Sequence, residues 1–315
     1  MDEHLRELLR AMLEADPDTN LDDDARQAMM YAMLALHSGE KISAIWKFAQ
    51  SIENEFKRSH LLYNLVDRSA QHLQFDLAEK IARSIPEPYW RFDALNKIAS
   101  ELLRRDRESA PARAFGSNKL VPAAQYEDQA LLLLSEIEKA LPSIPEDDGD
   151  RASVLWSAGL SLVSAGKLEW AENLASTETY CPENTEVLLR CADAWISRGE
   201  IHRALQLAST VGKLASTGTG QDINRAYDLI HAAKILFNDG LIEEARNCLE
   251  QAAGFALPVQ GNDIDGSKCT GAIAVEFARQ GNTELAHRTA KMITQPARQE
   301  YALQQIAKLT ETKSL

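Results

Sequence analysis

One short pattern constrains this chain more than any other feature: a glycine, four residues, an alanine, then a small or apolar residue four further on. It occurs as Gly39…Ala44…Phe48, Gly166…Ala171…Ala175, Gly199…Ala204…Ala208, Gly240…Ala245…Leu249 and Gly281…Ala286…Ala290. Ala78…Ala82 keeps the same frame, with Leu73 where the others have glycine. From Gly166 onward the glycines recur at intervals of 33, 41 and 41 residues, and Ala44 and Ala78 lie 34 apart. Self-similarity at such periods is the signature of a repeat architecture.

A second pattern precedes each copy by about ten residues: two apolar positions, two variable ones, then two small or apolar ones. It reads Leu61-Leu62…Leu65-Val66, Ala94-Leu95…Ile98-Ala99, Val154-Leu155…Ala158-Gly159, Val187-Leu188…Cys191-Ala192 and Ala302-Leu303…Ile306-Ala307. Looser copies stand at Leu229…Ala232-Ala233 and Thr270…Ile273-Ala274. Apolar residues recur at i, i+3, i+4 and i+7 nearly throughout, alternating β-branched runs are absent, and Ala- and Leu-rich segments have few breakers, so the chain reads as all-α. Each unit is then a helix, a tight turn at the glycine, and a second helix whose small residues let a neighbour approach closely. One hairpin cannot bury its apolar face alone, but stacked hairpins can.

These residues resemble the tetratricopeptide family. The spacing Gly-x4-Ala-x3-small matches that family's turn and second helix, Ala252 and Ile293 fall on its later apolar position, Gly159 on the small residue of its first helix and Trp195 on the aromatic that follows. Leu62, Leu95, Leu155 and Leu188 stand where the family carries a large aromatic, and three intervals exceed its usual period. The resemblance spans about residues 25–310 and implies a right-handed superhelical α-solenoid of about seven helical hairpins with a terminal capping helix; armadillo-like packing is the alternative.

The expected hairpins are 25–53, 56–85, 88–141, 150–178, 184–215, 219–254 and 263–294, followed by a helix at about 297–311. Residues 1–24, with nine acids and two bases, form an acidic amino-terminal helix or cap. Front repeats occupy 25–141, with a loop insertion at 104–124; the Pro-rich acidic stretch 142–149 is a linker; 150–315 holds the back repeats and capping helix. Insertions at 211–221 and 257–266 read as loops that can also lengthen helix ends. Trp46 and Trp170 are expected in the inter-helix core, and Met29, Met30 and Met33 form a helical cluster near the amino end.

The formal charge of −13 argues against broad phosphate binding, and no nucleic-acid partner is expected. The basic run Arg104, Arg105, Arg107, Arg113 and Lys119 lacks interleaved aromatics and reads as a solvated loop. No run of about 18 apolar residues exists, so no membrane span is expected. The charged start has no apolar signal region, and the expected address is the cytoplasm. Cys181, Cys191, Cys248 and Cys269 form no CxxC pair. Gly261–Lys268 lacks the Gly-Lys-Ser/Thr of a phosphate loop, and Ala272 stands where a calcium loop needs a glutamate. Asp22–Asp24 and Glu146–Asp148 read as helix-start acids. The seven histidines include no HExxH, and no Gly-x-Ser-x-Gly elbow occurs. No metal, cofactor or catalytic residue is expected.

In the family this chain resembles, first helices line a concave groove that holds a segment of another protein. By register the residues facing it are His60, Tyr63, Asn64 and Asp67, then Asn96, Lys97 and Ser100, then Trp156, Arg190, Asp193, His231, Lys234 and Arg279. Asn hydrogen-bonds peptide backbone, Tyr and Trp supply rigid contact area, and the cations pair with carboxylates. The expected function is therefore a non-catalytic protein–protein interaction scaffold. The alternatives are an α/α enzyme acting on a sugar or lipid, which the aromatic content of 6% disfavours, and a structural protein that self-assembles through the Tyr301–Leu309 helix.

Overall fold

A computed structural model of the chain describes residues 42–50, 52–114, 124–144, 149–176, 181–218, 222–258 and 264–312. Among these residues every regular element is helical. The acidic segment 1–24, the Met29–Met33 cluster and Gly39 lie outside the described residues, as do parts of the three insertions and of the 142–149 stretch.

The chain forms two compact units, Met1–Ala165 and Gly166–Leu315. The first contains α1 (Ile42–Ala49), α2 (Glu55–Gln71), α3 (Phe75–Arg83), α4 (Pro88–Ala114), α5 (Ala124–Ala140) and α6 (Asp150–Ser164). Here α2, α4 and α6 pack side by side as a row of first helices; α3 lies against α2 and α4, and α5 against α4 and α6. The second contains α7 (Leu168–Ala175), α8 (Pro182–Ser197), α9 (Ile201–Thr217), α10 (Asp222–Asn238), α11 (Ile242–Ala256), α12 (Ile264–Arg279), α13 (Thr283–Lys291) and α14 (Pro296–Thr312). Its first helices α8, α10, α12 and α14 again stand in a row, with α9, α11 and α13 each packed against the two first helices that flank it. This is the all-α stacking of hairpins that the repeats require.

The turns show why the glycines recur. Gly166, Gly199, Gly240 and Gly281 have φ of 72°, 81°, 84° and 84°, the left-handed region in which a Cβ is strained. After three of them the next amide donates to the carbonyl five residues back: Glu200 to Trp195, Leu241 to Leu236 and Asn282 to Phe277, at 2.9–3.0 Å. This double-capped helix end satisfies carbonyls that would otherwise be orphaned. Leu73 makes the same turn at φ 61°, with Gln74 donating to Ser69 at 2.9 Å. The small residues that follow are sealed: Ala78, Ala82, Ala171, Ala175, Ala204, Ala208, Ala245, Leu249, Ala286 and Ala290 are all fully buried.

First helices supply the larger core residues. Leu61, Leu62, Leu65, Val66, Leu95, Ile98, Val187, Cys191, Leu229 and Ile273 are fully buried. Burying such a leucine or isoleucine contributes about 1.5–3 kcal/mol. Polar links also join the layers: Thr185 donates to Asp228 at 2.7 Å, and the buried Arg225 donates to the carbonyls of Ala215 and Ser216 at 2.7 and 2.9 Å, capping α9.

Three expectations change. The run beginning at Arg104 is helix up to Ala114, not loop. Arg104 and Arg105 both reach Glu101 and Glu108 one turn away, which stabilises helix on a solvent face, and Arg107 donates to the Ser164 carbonyl at 3.1 Å. Trp46 and Trp170 are half-buried rather than core, and the Trp46 indole donates to Ser84 Oγ at 3.1 Å. The described part of the 142–149 stretch ends a short 3-10 turn at Leu141–Ser143, where Leu141 and Ile144 are buried; the boundary between compact units falls one helix later, at Gly166.

Candidate functional site

Each row of first helices presents one face that hairpin packing does not consume, and the two units dress that face differently. On α2, Phe56, His60, Tyr63 and Asp67 follow helical spacing along one side. On α4, Tyr89, Trp90, Asp93 and Lys97 come opposite. Trp90 is the hub: its ring centroid lies 5.2 Å from Tyr63 and His60, 5.1 Å from Tyr89 and 6.2 Å from Phe56. Phe56 at the edge remains 62% exposed. Lys97 Nζ sits 4.7 Å above the Tyr63 ring and 3.3 Å from Asp67 Oδ1, a cation held jointly by a π face and a carboxylate. Burial and the neighbouring Asp93 carboxylate, to which its hydroxyl is hydrogen-bonded, push the Tyr63 phenol well above its usual range. Tyr63 is therefore a neutral contact surface.

Beyond Lys97 the face becomes a hydroxyl-lined groove between α4 and α6, about 270 Å³, bounded by Asn96, Ser100, Leu103, Trp156 and Ser161 among others. Asn96 does not face solvent as its register suggested. It is 4% exposed, donates to Ser157 Oγ and accepts from Ser161 Oγ at 3.0 Å. Ser100 and Ser161 share a hydrogen at 2.7 Å. The Asn96 amide is spent inside the protein, so its part is to fix the α4–α6 spacing. Asn64 is half-exposed and turns back on its own helix, donating to the His60 carbonyl at 2.9 Å. Trp156 is half-buried at the groove wall.

In the second unit, Arg190 and Asp193 on α8 meet His231 and Lys234 on α10. His231 Nε2 lies 3.1 Å from Asp193 Oδ2. Burial lowers the imidazole's pKa, and Arg190 and Lys234 lower it further, against the opposing pull of Asp193. Arg190 is exposed and pairs with Glu186 one turn away at 3.3 Å. Lys234 leads into a groove of about 290 Å³ between α10, α12 and α14, where Lys268, Arg279 and Arg298 also converge over a floor of Gly271, Ala272 and Val275.

Sequence reasoning thus placed Tyr63, Asp67 and Lys97 together correctly in register, and Arg190, Asp193, His231 and Lys234 likewise. It missed Phe56, Trp90 and Asp93, and it missed Lys268 and Arg298. A signal existed for the first group: Phe56, His60 and Tyr63 follow the i, i+4, i+7 spacing of a single helical stripe. The second could not be found that way, because α14 read only as a cap. Its Ala302 and Ile306 are buried against the preceding hairpin while Tyr301 stays 58% exposed.

Cys191, Cys248 and Cys269 are free and buried, and burial pushes their thiols up to about 12, about 11 and about 12. Among the described residues no three His, Cys, Asp or Glu side chains are grouped to hold a metal ion, and no helix is long and apolar enough to cross a membrane.

No family model matches the sequence, and no curated protein matches it. Solved structures do. The crystal structure of Ton1535 from Thermococcus onnurineus NA1 aligns over 96% of this chain and 94% of its own, at 16% identity and a TM-score of 0.27. A circular tandem repeat protein, described as having a novel repeat topology and enhanced subunit contact surfaces, aligns over 98% of this chain and 74% of its own, at 13% identity and a TM-score of 0.18. The chain's own turns and buried faces carry the conclusion: it is an all-α protein built of repeated helical hairpins.

Proposed function

We propose that this protein is a non-catalytic interaction scaffold of tetratricopeptide-like type, which holds an extended segment of another protein along the free faces of its first helices. The observation that carries this reading is the ring cluster around Trp90. Among 20 aromatic residues in the whole chain, Phe56, Tyr63, Tyr89 and Trp90 gather on one face, beside Lys97 and the hydroxyl-lined groove. Core packing does not require this placement, since the leucines and alanines of the same helices fill the interior. Rigid aromatic area flanked by polar groups is the composition of an interface hot spot. Repeat stacking supplies the long, continuous surface that an extended segment needs. A reducing compartment suits the free thiols.

The test is affinity capture from cell extract with identification of the bound segments by crosslinking and mass spectrometry. Capture is then repeated with Trp90→Ala combined with Lys97→Glu. Loss of the same segments, with unchanged circular dichroism, supports the proposal. Undiminished capture by the doubly substituted protein removes this face as the binding site.

A further inference from the structure

The face of the second unit carries a different chemistry, and this inference deepens the proposal above by naming the class of its occupant. Lys234 on α10, Lys268 and Arg279 on α12 and Arg298 on α14 line a single groove, with Glu276 as the only acid among its lining residues. Exposed Arg190 on α8 extends the same sign along the row. This happens on a chain whose formal charge is −13. Random placement on such a surface would surround each cation with acids, so the local reversal is a specific feature.

The cations are also weakly committed. Lys268 pairs with Asp265, Arg279 with Glu276 and Arg190 with Glu186, each within its own helix and each with an exposed partner on at least one side. Such surface pairs are worth about 0–1 kcal/mol and exchange readily for an incoming carboxylate. Among the described residues neither Lys234 nor Arg298 has a carboxylate within ion-pair distance.

Spacing decides between a small anion and a chain. Lys268 and Arg279 are eleven residues apart on one helix, about 16 Å along its axis. Neighbouring first helices add about 8–10 Å per step across the row. One phosphate or carboxylate cannot bridge that distance, whereas about five residues of extended peptide can. The floor of Gly271, Ala272 and Val275 and the exposed ring of Tyr301 add apolar contact for the side chains between the acids. From this arrangement we infer that the α10–α12–α14 groove binds an extended acidic segment of a protein partner, reading alternate carboxylates with Lys234, Arg279, Lys268 and Arg298.

The experiment measures fluorescence anisotropy of a fluorescein-labelled deca-glutamate peptide with the full-length protein. A Gly-Ser peptide of equal length, a twelve-residue oligothymidylate and inorganic phosphate as competitor serve as comparators. The expected result is saturable binding of deca-glutamate that weakens steeply with salt, as screening of exposed charges demands. The Gly-Ser peptide should not bind, and millimolar phosphate should compete poorly. Lys234→Glu with Arg298→Glu should weaken binding at least about tenfold. Lys234→Gln with Arg298→Gln should give an intermediate loss. Trp90→Ala, on the other unit, should change nothing.

Equal binding by wild type and the Glu-substituted protein overturns the inference. So does oligothymidylate binding as tightly as the acidic peptide, or complete competition by phosphate. If deca-glutamate fails to bind while capture of partner segments still depends on Trp90 and Lys97, the acidic occupant is wrong and the scaffold reading stands. If deca-glutamate binds as expected while capture ignores Trp90 and Lys97, the reverse holds.

Discussion

The two compact units obey one packing rule and diverge in what they show to solvent. In the first, the free face of α2, α4 and α6 is aromatic and rich in hydroxyls, centred on Trp90 and the Asn96–Ser157–Ser161 network. In the second, the corresponding face of α8, α10, α12 and α14 is a line of cations. The units differ at the turn as well: Leu73 occupies the left-handed position that glycine holds at 199, 240 and 281. Positions buried between hairpins tolerate only small or well-fitted apolar side chains, so they stay alike. Positions one step round the helix have no such restraint, and two different binding chemistries are written on one scaffold.

The largest test of that shared rule is a matched pair of core truncations. Leu95 and Leu188 occupy equivalent positions on first helices of the two units and are buried. Leu95→Ala and Leu188→Ala should each cost about 2–5 kcal/mol in denaturant unfolding. A cost below about 1 kcal/mol at one site only would show that the two positions are not equivalent.

Next comes the turn. Gly199→Ala adds a Cβ that meets nothing within 4 Å, so its whole cost is the φ of 81°. That cost is about 1–2 kcal/mol, read as a lowered midpoint. The converse substitution, Leu73→Gly, should stabilise the first unit by up to about 1 kcal/mol, since relief of the left-handed strain exceeds the added freedom of the unfolded chain. The Leu73 side chain is 52% exposed and gives up little packing. A destabilised Leu73→Gly protein would mean that this turn is held by something other than the common helix-end geometry.

The smallest effect concerns pH and belongs to the second unit alone. The folded His231 pKa lies below the ordinary imidazole value, chiefly through burial, so the unfolded chain binds the proton more readily. Its contribution is complete above the unfolded pKa of about 6.5 and is lost as pH falls through the lowered folded value. Arg190 and Lys234 face it alongside Asp193, and both cations sharpen the loss. His231→Gln should flatten the dependence of unfolding midpoint on pH between 7 and 5. An unchanged slope would place the titration elsewhere.

Much of the scaffold was legible in the sequence because packing writes periodic constraints. The bounds of the hairpins from residue 56 onward, the glycine turns and even the odd Leu73 turn follow from spacing and small side chains. The helical character of 104–114 was hidden by nearby Pro111 and Gly116, while its stabilisation came from Glu101 and Glu108 pairs spaced one turn from the arginines. Surface chemistry was only half legible. Register identified Tyr63, Lys97, His231 and Lys234 as lying on first-helix faces. It did not show that Trp90 would gather four rings, or that Lys268 and Arg298 from different helices would meet Lys234. Those groupings depend on how neighbouring helices align along their axes, which repeat spacing alone leaves unspecified. Asn96 illustrates the converse: a face position by register that packing has taken for the interior.

The account rests on the first-helix faces being the surfaces that partners touch. Its most direct test is site-specific photo-crosslinking, with the reactive amino acid placed at exposed Phe56 or Tyr301 on first helices and at exposed Gln206 or Glu250 on second helices. The account predicts adducts to partner segments from the first pair of positions and none above background from the second. Equal adduct yields from Gln206 and Glu250 would contradict it.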